Sequence, residues 1–461
     1  MKATTARVYP RVSTDGTGVV SHAGTALLRE LADRVGLRAE FAAAMDGIRC
    51  RGGGHDPGQV LVDLAVMLAD GGESIRDIAA LADQPGLHGP VASPATAWRV
   101  LDAVDTARLA GLRLARAAAR ERGWLARGEI TGRQLPPATA AGRDLDYVVI
   151  DLDATLIEVH SEKEQAAGHF KGGFGYHPLL AFLDNTNEAL AGILRPGNAG
   201  SNTAADHITV LDAALTQLPD VHRAKRILVR TDGAGFSHRF CDYLVEQGLE
   251  YSVGFAVTDD VRAAITKLPR WAWSPAVDAA GGWRDGAEVA EATGLLDLAG
   301  WPQAMRVIVR RERPHPGAQL DAFEERDGYR YQAMATNTGV GQLAFLEARH
   351  RAHARVEDRI RQLADAGAGR LPSRMFAVNA VWLELALTAA DLLAFTQTIL
   401  LADQPDLAHA EWKTIRYRLL HTSARITRGA RQTWLRLAEG WPWALALARA
   451  FTTLRRIPLP G

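Results

Sequence analysis

Along the first 140 residues, apolar positions recur at a spacing close to 3.6 over 25–45, 57–69, 74–82 and 106–126, with few β-branched runs. This pattern predicts a helical N-terminal region. Ser93-Pro94 reads as a helix start, since Ser can cap free amides and Pro is tolerated in the first turn. The segment 74–104 then resembles a helix-turn-helix carrying Thr96, Trp98 and Arg99, a DNA-reading arrangement that plain helical domains also show. Residues 128–142, rich in Pro, Ala, Thr and Gly, read as a linker.

The pattern changes at 147. Apolar, β-branched or alternating runs over 147–152, 155–160, 178–183 and 190–194 predict adjacent strands. A helix over 204–218, a strand over 226–231, a helix over 237–247 and a strand over 251–257 follow. Short strands among Trp, Pro and Gly mark 262–340 as a β-rich insertion, and two long helices are expected over 343–364 and 375–401. The expected layout is a helical DNA-binding domain (1–140), an α/β core in two parts (141–261 and 341–403) around the insertion, and a basic, aromatic helical tail (404–461).

Composition narrows the class. Hydrophobic residues are 47% and charged residues 23% of 461, the profile of a folded globular chain. No apolar run free of Arg, Asp or Glu reaches the roughly 18 residues of a membrane span, and the first ten residues lack a signal-peptide core. Cys50 and Cys241 make neither a disulfide framework nor a zinc site, so a reducing cytoplasm, with the chain at the nucleoid, is the expectation. Basic and acidic residues balance at 53 each, which leaves any nucleic-acid affinity to local patches. The strongest patch is the tail. Lys413, Arg416, Arg418, Arg425, Arg428, Arg431, Arg436, Arg449, Arg455 and Arg456 face only Glu411 and Glu439, interleaved with Trp412, Tyr417, Trp434, Trp441 and Trp443. Such interleaving suits phosphate contact and base stacking, and equally a solvated face over a Trp-rich core.

Three acidic positions carry the candidate chemistry. Asp151 and Asp153 lie two apart near the end of the first strand and so project on one side of it. Asp232, in Arg-Thr-Asp-Gly, closes the strand over 226–231, and acids at the carboxyl edge of such strands are well placed to bind metal with oxygen ligands. Glu357 lies in a His/Arg-rich helix, where helical spacing puts His350, His353, Glu357 and Arg361 on one face. A carboxylate so flanked can hold a metal while its neighbours hold phosphate; a solvated, salt-bridged helix is the competing reading.

These residues carry a resemblance. Asp153-Ala-Thr155, Asp232 in Arg-Thr-Asp-Gly-Ala-Gly-Phe, and Glu357 are similar to the acidic triad of DDE transposases with an RNase H-like core. More narrowly the chain resembles insertion-sequence transposases of family 1380, through Tyr176-His177-Pro178-Leu179-Leu180, Arg195-Pro196-Gly197-Asn198-Ala199, Asn379-Ala380-Val381-Trp382 and Trp441-Pro442-Trp443. The Tyr, Arg, Glu, Lys signature of the related group is altered: His350, His353 and Ala364 stand at the Tyr, Arg and Lys positions.

The resemblance implies an α/β fold, an RNase H-like mixed sheet flanked by helices with an inserted β-rich subdomain. It implies a Mg²⁺-dependent enzyme (Mn²⁺ substituting) that cuts terminal inverted repeats and joins the 3′-ends to target DNA, as a homodimer and away from membranes. Asp153, Asp232 and Glu357 are its metal-binding catalytic residues, with Asp151 a further ligand or a group orienting one. His350, His353, Arg355, Arg361, Arg416, Arg425, Arg428 and Arg431 are its expected DNA contacts. Two alternatives stand beside it. One is a non-catalytic or decayed DNA-binding descendant. The other is a haloacid dehalogenase-like phosphatase using Asp151 as nucleophile and Asp153 as general acid, which lacks a lysine between Thr231 and Asp260 and leaves Glu357 without a role.

Overall fold

The computed structural model describes residues 11–48, 54–159, 162–200, 203–255 and 257–460; the first ten residues, Cys50 and His160 lie outside them. Nine strands make one mixed sheet: β1 (Val148–Ala154), β2 (Leu179–Leu183), β3 (Ala189–Ile193), β4 (Ile227–Thr231), β5 (Glu250–Phe255), β6 (Ser274–Val277), β7 (Trp283–Glu291), β8 (Arg306–Glu312) and β9 (Arg330–Thr336). Their spatial order is β6-β7-β8-β9-β5-β4-β1-β2-β3. Strands β1, β4 and β5 run parallel, and every other pairing is antiparallel. Every residue of β4, and β1 through Leu152, is buried, which explains why both read as continuous apolar runs rather than alternating ones.

The β-rich stretch after 262 does not form a sheet of its own. Strand β9 pairs antiparallel with β5, setting Ser252 opposite Thr336, so β6–β9 extend the central sheet. Pairing partners are not encoded in local hydrophobic pattern, and the expectation of a separate subdomain is corrected on this point.

The helical N-terminal region is present, with local differences. The single helix expected over 25–45 is two, Thr25–Arg34 and Leu37–Ala44, broken at Gly36, whose φ of +75° only glycine adopts easily. The helix Pro94–Asp102 starts as expected, with the Ser93 side chain accepting from the Thr96 amide. The segment 128–142 is not a linker. The helix Thr106–Thr131 runs into it, and Ala138–Ala140 pairs with Arg143–Leu145 as a hairpin. Three arginines of that helix bind it to the core. Arg116 meets Glu384 (2.5 Å) and Asp391 (2.8 Å), Arg120 meets Glu188 (2.7 Å) and Asp391 (2.6 Å), and Arg127 meets Glu188 (3.0 Å).

Glu384 and Asp391 belong to the helix Phe376–Phe395, which continues to Leu400 as a π-turn. Its mean hydropathy of 1.5 over an 18-residue window makes it long and apolar enough to cross a membrane, although Glu384 and Asp391 interrupt the apolar run as expected. The window is 83% buried inside the molecule, and its acids are paired with arginines, the properties of a core helix.

The tail is not wholly helical. Ala424–Gly429 and Gln432–Leu437 form a hairpin, and its first strand pairs with Val19–Val20, followed by the helix Ala444–Leu454. The two chain ends thus share one small sheet.

Candidate active site

The parallel register of β1 and β4 builds the site. Arg230 pairs with Asp151 and Thr231 with Leu152, so one further step sets Asp232 beside Asp153 at the carboxyl edge. Asp232 leaves the strand as the cap of a tight turn, its side chain accepting from the Ala234 amide at 2.9 Å. Gly235 is required there, because a Cβ would lie 2.1 Å from the Thr231 hydroxyl oxygen. Glu357 arrives from the helix Arg355–Leu363, joined to the helix Leu343–Arg351 by the 3₁₀ turn Ala352–Ala354, where one long helix was expected.

Beneath these acids lies a buried ion network that docks this helix on the sheet. Asp151 is fully buried and accepts from Arg230 Nε (2.7 Å) and Nη2 (2.8 Å), from Arg359 Nη1 (2.8 Å), and faces His353 Nδ1 at 3.0 Å. Asp184, from the β2–β3 turn, accepts from Arg230 (2.9 Å), Arg355 (3.1 Å) and Arg359. Burial works to raise the Asp151 pKa, but Arg230 and His353 prevail and hold its carboxyl far below the usual carboxylate range. With its oxygens engaged and no solvent access, Asp151 is free neither to bind a metal nor to attack a phosphate. Both sequence readings that gave it such a role are corrected.

Asp153 differs. Burial, Asp232 and Glu357 raise its pKa, while His353 and the Ala154 amide lower it, leaving it pushed up to about 6. Asp232 and Glu357 are therefore both within electrostatic reach of Asp153. Asp232 and Glu357 are themselves exposed.

The expected DNA contacts divide. His350 bonds Ser252 Oγ (2.9 Å), and burial followed by His353 and Arg230 pushes its pKa down to about 3. It lines a cavity of about 370 Å³ with Asp232, Gly254, Arg310 and Glu347. His353 is buried, held by Asp151, and its Nε2 has no hydrogen-bond partner. Arg355 bonds Asp184 and the Thr139 carbonyl (2.7 Å), and Arg361 pairs with Glu411 (2.8 Å) and Asp358 (3.2 Å). Arg416 is buried and donates to the Ala69 carbonyl (2.7 Å), so it tethers the tail instead of facing solvent. Arg425, Arg428 and Arg431 are exposed on the hairpin.

Sequence reasoning missed Asp184, Arg359 and the structural role of Arg230. One signal was available. Asp151 precedes Asp153 by two, and Arg230 precedes Asp232 by two, so parallel pairing of the acids necessarily pairs Arg230 with Asp151.

The raised pKa of Asp153, set first by burial, has a measurable consequence. A carboxyl with a raised folded-state pKa contributes stability below its unfolded value of 3.8, and that contribution is lost as pH rises through 6. In chelator at pH 8, Asp153→Asn should therefore stabilise the fold by about 1–3 kcal/mol, and the gain should vanish near pH 4. Urea midpoints across that range check it; a variant less stable at pH 8 would contradict the raised pKa of Asp153.

A family model for the transposase DDE domain group 1 matches residues 4–459, and the chain belongs to that family. Among solved structures it is similar to a piggyBac transposase, in a cryo-EM structure of its synaptic complex with hairpin DNA, at 9% identity and a TM-score of 0.41, over 89% of this chain and 83% of that one. No curated protein matches the chain.

Proposed function

We propose that Asp153, Asp232 and Glu357 form the cutting centre of an insertion-sequence transposase on an RNase H-like core, β3-β2-β1-β4-β5. The observation that carries this reading is the parallel register of β1 and β4, which sets Asp232 beside Asp153 at the carboxyl edge, with Glu357 on the helix that Arg359 docks onto Asp151. Carboxylates brought to one sheet edge over a satisfied ion network offer the oxygen ligands that a hard divalent cation takes; Mg²⁺ is the expected ion, with Mn²⁺ able to replace it. When bound, that ion supplies Lewis-acid stabilisation of charge on the phosphate and a lowered pKa for the attacking hydroxyl.

The chain's own residues do the positioning. Asp151 and Asp184 clamp Arg230 and Arg359, which fixes the Glu357 helix against β1. Asp151 also orients His353, leaving Nε2 to meet a phosphate oxygen. The N-terminal helices and the hairpin bind the terminal inverted repeats, and bringing two ends together requires at least a dimer. The family resemblance to insertion-sequence family 1380 supports joining of the 3′-ends to target DNA.

Arg425, Arg428 and Arg431 provide a test of the hairpin. Changing all three to Gln should weaken binding to any duplex and flatten the slope of log K against log salt by up to about 3, near 0.9 per lost phosphate contact. A folded triple variant with the wild-type slope would assign the hairpin a structural role only.

The reading as a whole is tested with purified chain and duplexes carrying the DNA that brackets its own gene. Mg²⁺-dependent cuts at the inverted-repeat boundary, with no phosphomonoester turnover, are expected. Sustained phosphomonoester hydrolysis without DNA cleavage would overturn the assignment.

A further inference from the structure

Far from the acidic triad in sequence, three further side chains converge. His22 follows the short strand Val19–Val20, Asp70 caps the helix Pro57–Ala69, and His421 ends the turn Arg416–Leu420. His22 Nδ1 lies 2.5 Å from one Asp70 carboxylate oxygen, and His421 Nε2 lies 3.2 Å from the other. One ligand atom from each lies within 4.8 Å of the other two. The imidazole rings stack, with centroids 4.1 Å apart and planes 24° from parallel.

We propose that His22, Asp70 and His421 form a Zn²⁺ site, separate from the acidic centre, that ties the N-terminal helices to the C-terminal hairpin.

Four observations support it. The donor set, two imidazole nitrogens and one carboxylate oxygen, is one that zinc takes, whereas Asp153, Asp232 and Glu357 offer oxygen alone. Asp70 is only 9% exposed, and its Oδ1 makes no well-formed hydrogen bond, since His421 Nε2 lies 3.2 Å from it and 3.2 Å from the Asp70 carbonyl alike. That leaves the two carboxylate oxygens of Asp70 each facing one imidazole. Both rings aim a nitrogen at the same carboxylate. Finally, the His22 and His421 side chains are 34% and 37% exposed, which gives a cation an entry path and leaves a water as fourth ligand.

The placement gives the site a purpose. Val20 pairs with Ala424 immediately beside it, and Arg416, one turn before His421, is anchored on the Ala69 carbonyl. Zinc at this point locks the short three-stranded sheet, and with it the exposed arginines of the hairpin, onto the N-terminal helices. The cation therefore acts on how the two ends of the chain present themselves to DNA and takes no part in cutting.

Full-length protein is stripped with a chelator and titrated with Zn²⁺ alone, and with Co²⁺ alone as a spectroscopic probe. The Asp153→Asn/Asp232→Asn background removes binding at the acidic centre. In that background one Zn²⁺ per chain should bind, Co²⁺ should give the visible absorption of a four-coordinate ion, and saturating Zn²⁺ should raise the melting temperature. His421→Gln should lower Zn²⁺ affinity by at least about 100-fold and abolish the Co²⁺ band, since removing a ligand costs no less than removing its supporting partner. The metal-free melting temperature reports whether the variant folds; His22→Gln, at a partly exposed position, supplies a second variant with the same expected loss. Absence of Zn²⁺ binding in the background protein, or affinity unchanged in folded His421→Gln and His22→Gln, would overturn the proposal.

Discussion

Asp232→Asn and Glu357→Gln should each lower Mg²⁺-dependent cutting of end DNA by at least about 1,000-fold, equivalent to several kcal/mol of lost transition-state stabilisation. Both side chains are exposed at the edge of the site, and neither is part of the buried ion network, so the fold should be retained. Binding to end DNA should hold or rise slightly, because each change removes a negative charge from beside Asp153, whose pKa burial raises with help from both acids. Single-turnover cleavage measured beside a binding isotherm separates the two effects. A variant that binds and cuts like the wild type would remove that residue from the centre.

The second large effect is on stability. Asp151→Asn should destabilise the protein by about 3–5 kcal/mol, a sizeable fraction of a usual folding free energy. The carboxylate takes two bonds from Arg230 and one from Arg359 and faces His353, all at buried positions. An amide keeps one acceptor and turns donors toward two guanidinium groups, leaving buried positive charge uncompensated. Asp184 still pairs with both arginines and limits the loss. Residues within one network couple, so adding Arg230→Met to Asp151→Asn should cost less than the sum of the single changes. Cutting per folded molecule should fall but stay measurable, since Asp151 acts through His353 and the helix position. A urea midpoint near wild type would contradict the network.

Much of this arrangement was legible in the sequence where local pattern decides structure. The buried strands β1 and β4 announced themselves as apolar runs closing on acids, and Ser93-Pro94 announced a capped helix. What escaped depends on partners distant in the chain. Asp151 and Asp153 do share a face, as their spacing implied, yet one is sealed by Arg230 and Arg359 and the other is only partly buried, a distinction set by residues 79 and 208 positions away. The hairpin at 424–437 was hidden by its turn. Gly429 pairs with Gln432, so Ala430 and Arg431 turn the chain with φ of +49° and +63°. That conformation usually advertises itself through Asn or Gly, and here neither occupies the turn. The four strands after residue 262 looked like an independent insertion because nothing in their own alternation specifies β5 as a neighbour.

The central claim is that Asp153, Asp232 and Glu357 act by holding a divalent cation at the scissile phosphate. Asp232→Cys tests it most directly, because thiolate is a poor ligand for Mg²⁺ and a better one for Mn²⁺. The account predicts no cutting of end DNA by this variant in Mg²⁺ and recovered cutting at the same phosphate in Mn²⁺, with the wild type active in both. Cutting by Asp232→Cys in Mg²⁺ at the wild-type rate would contradict it.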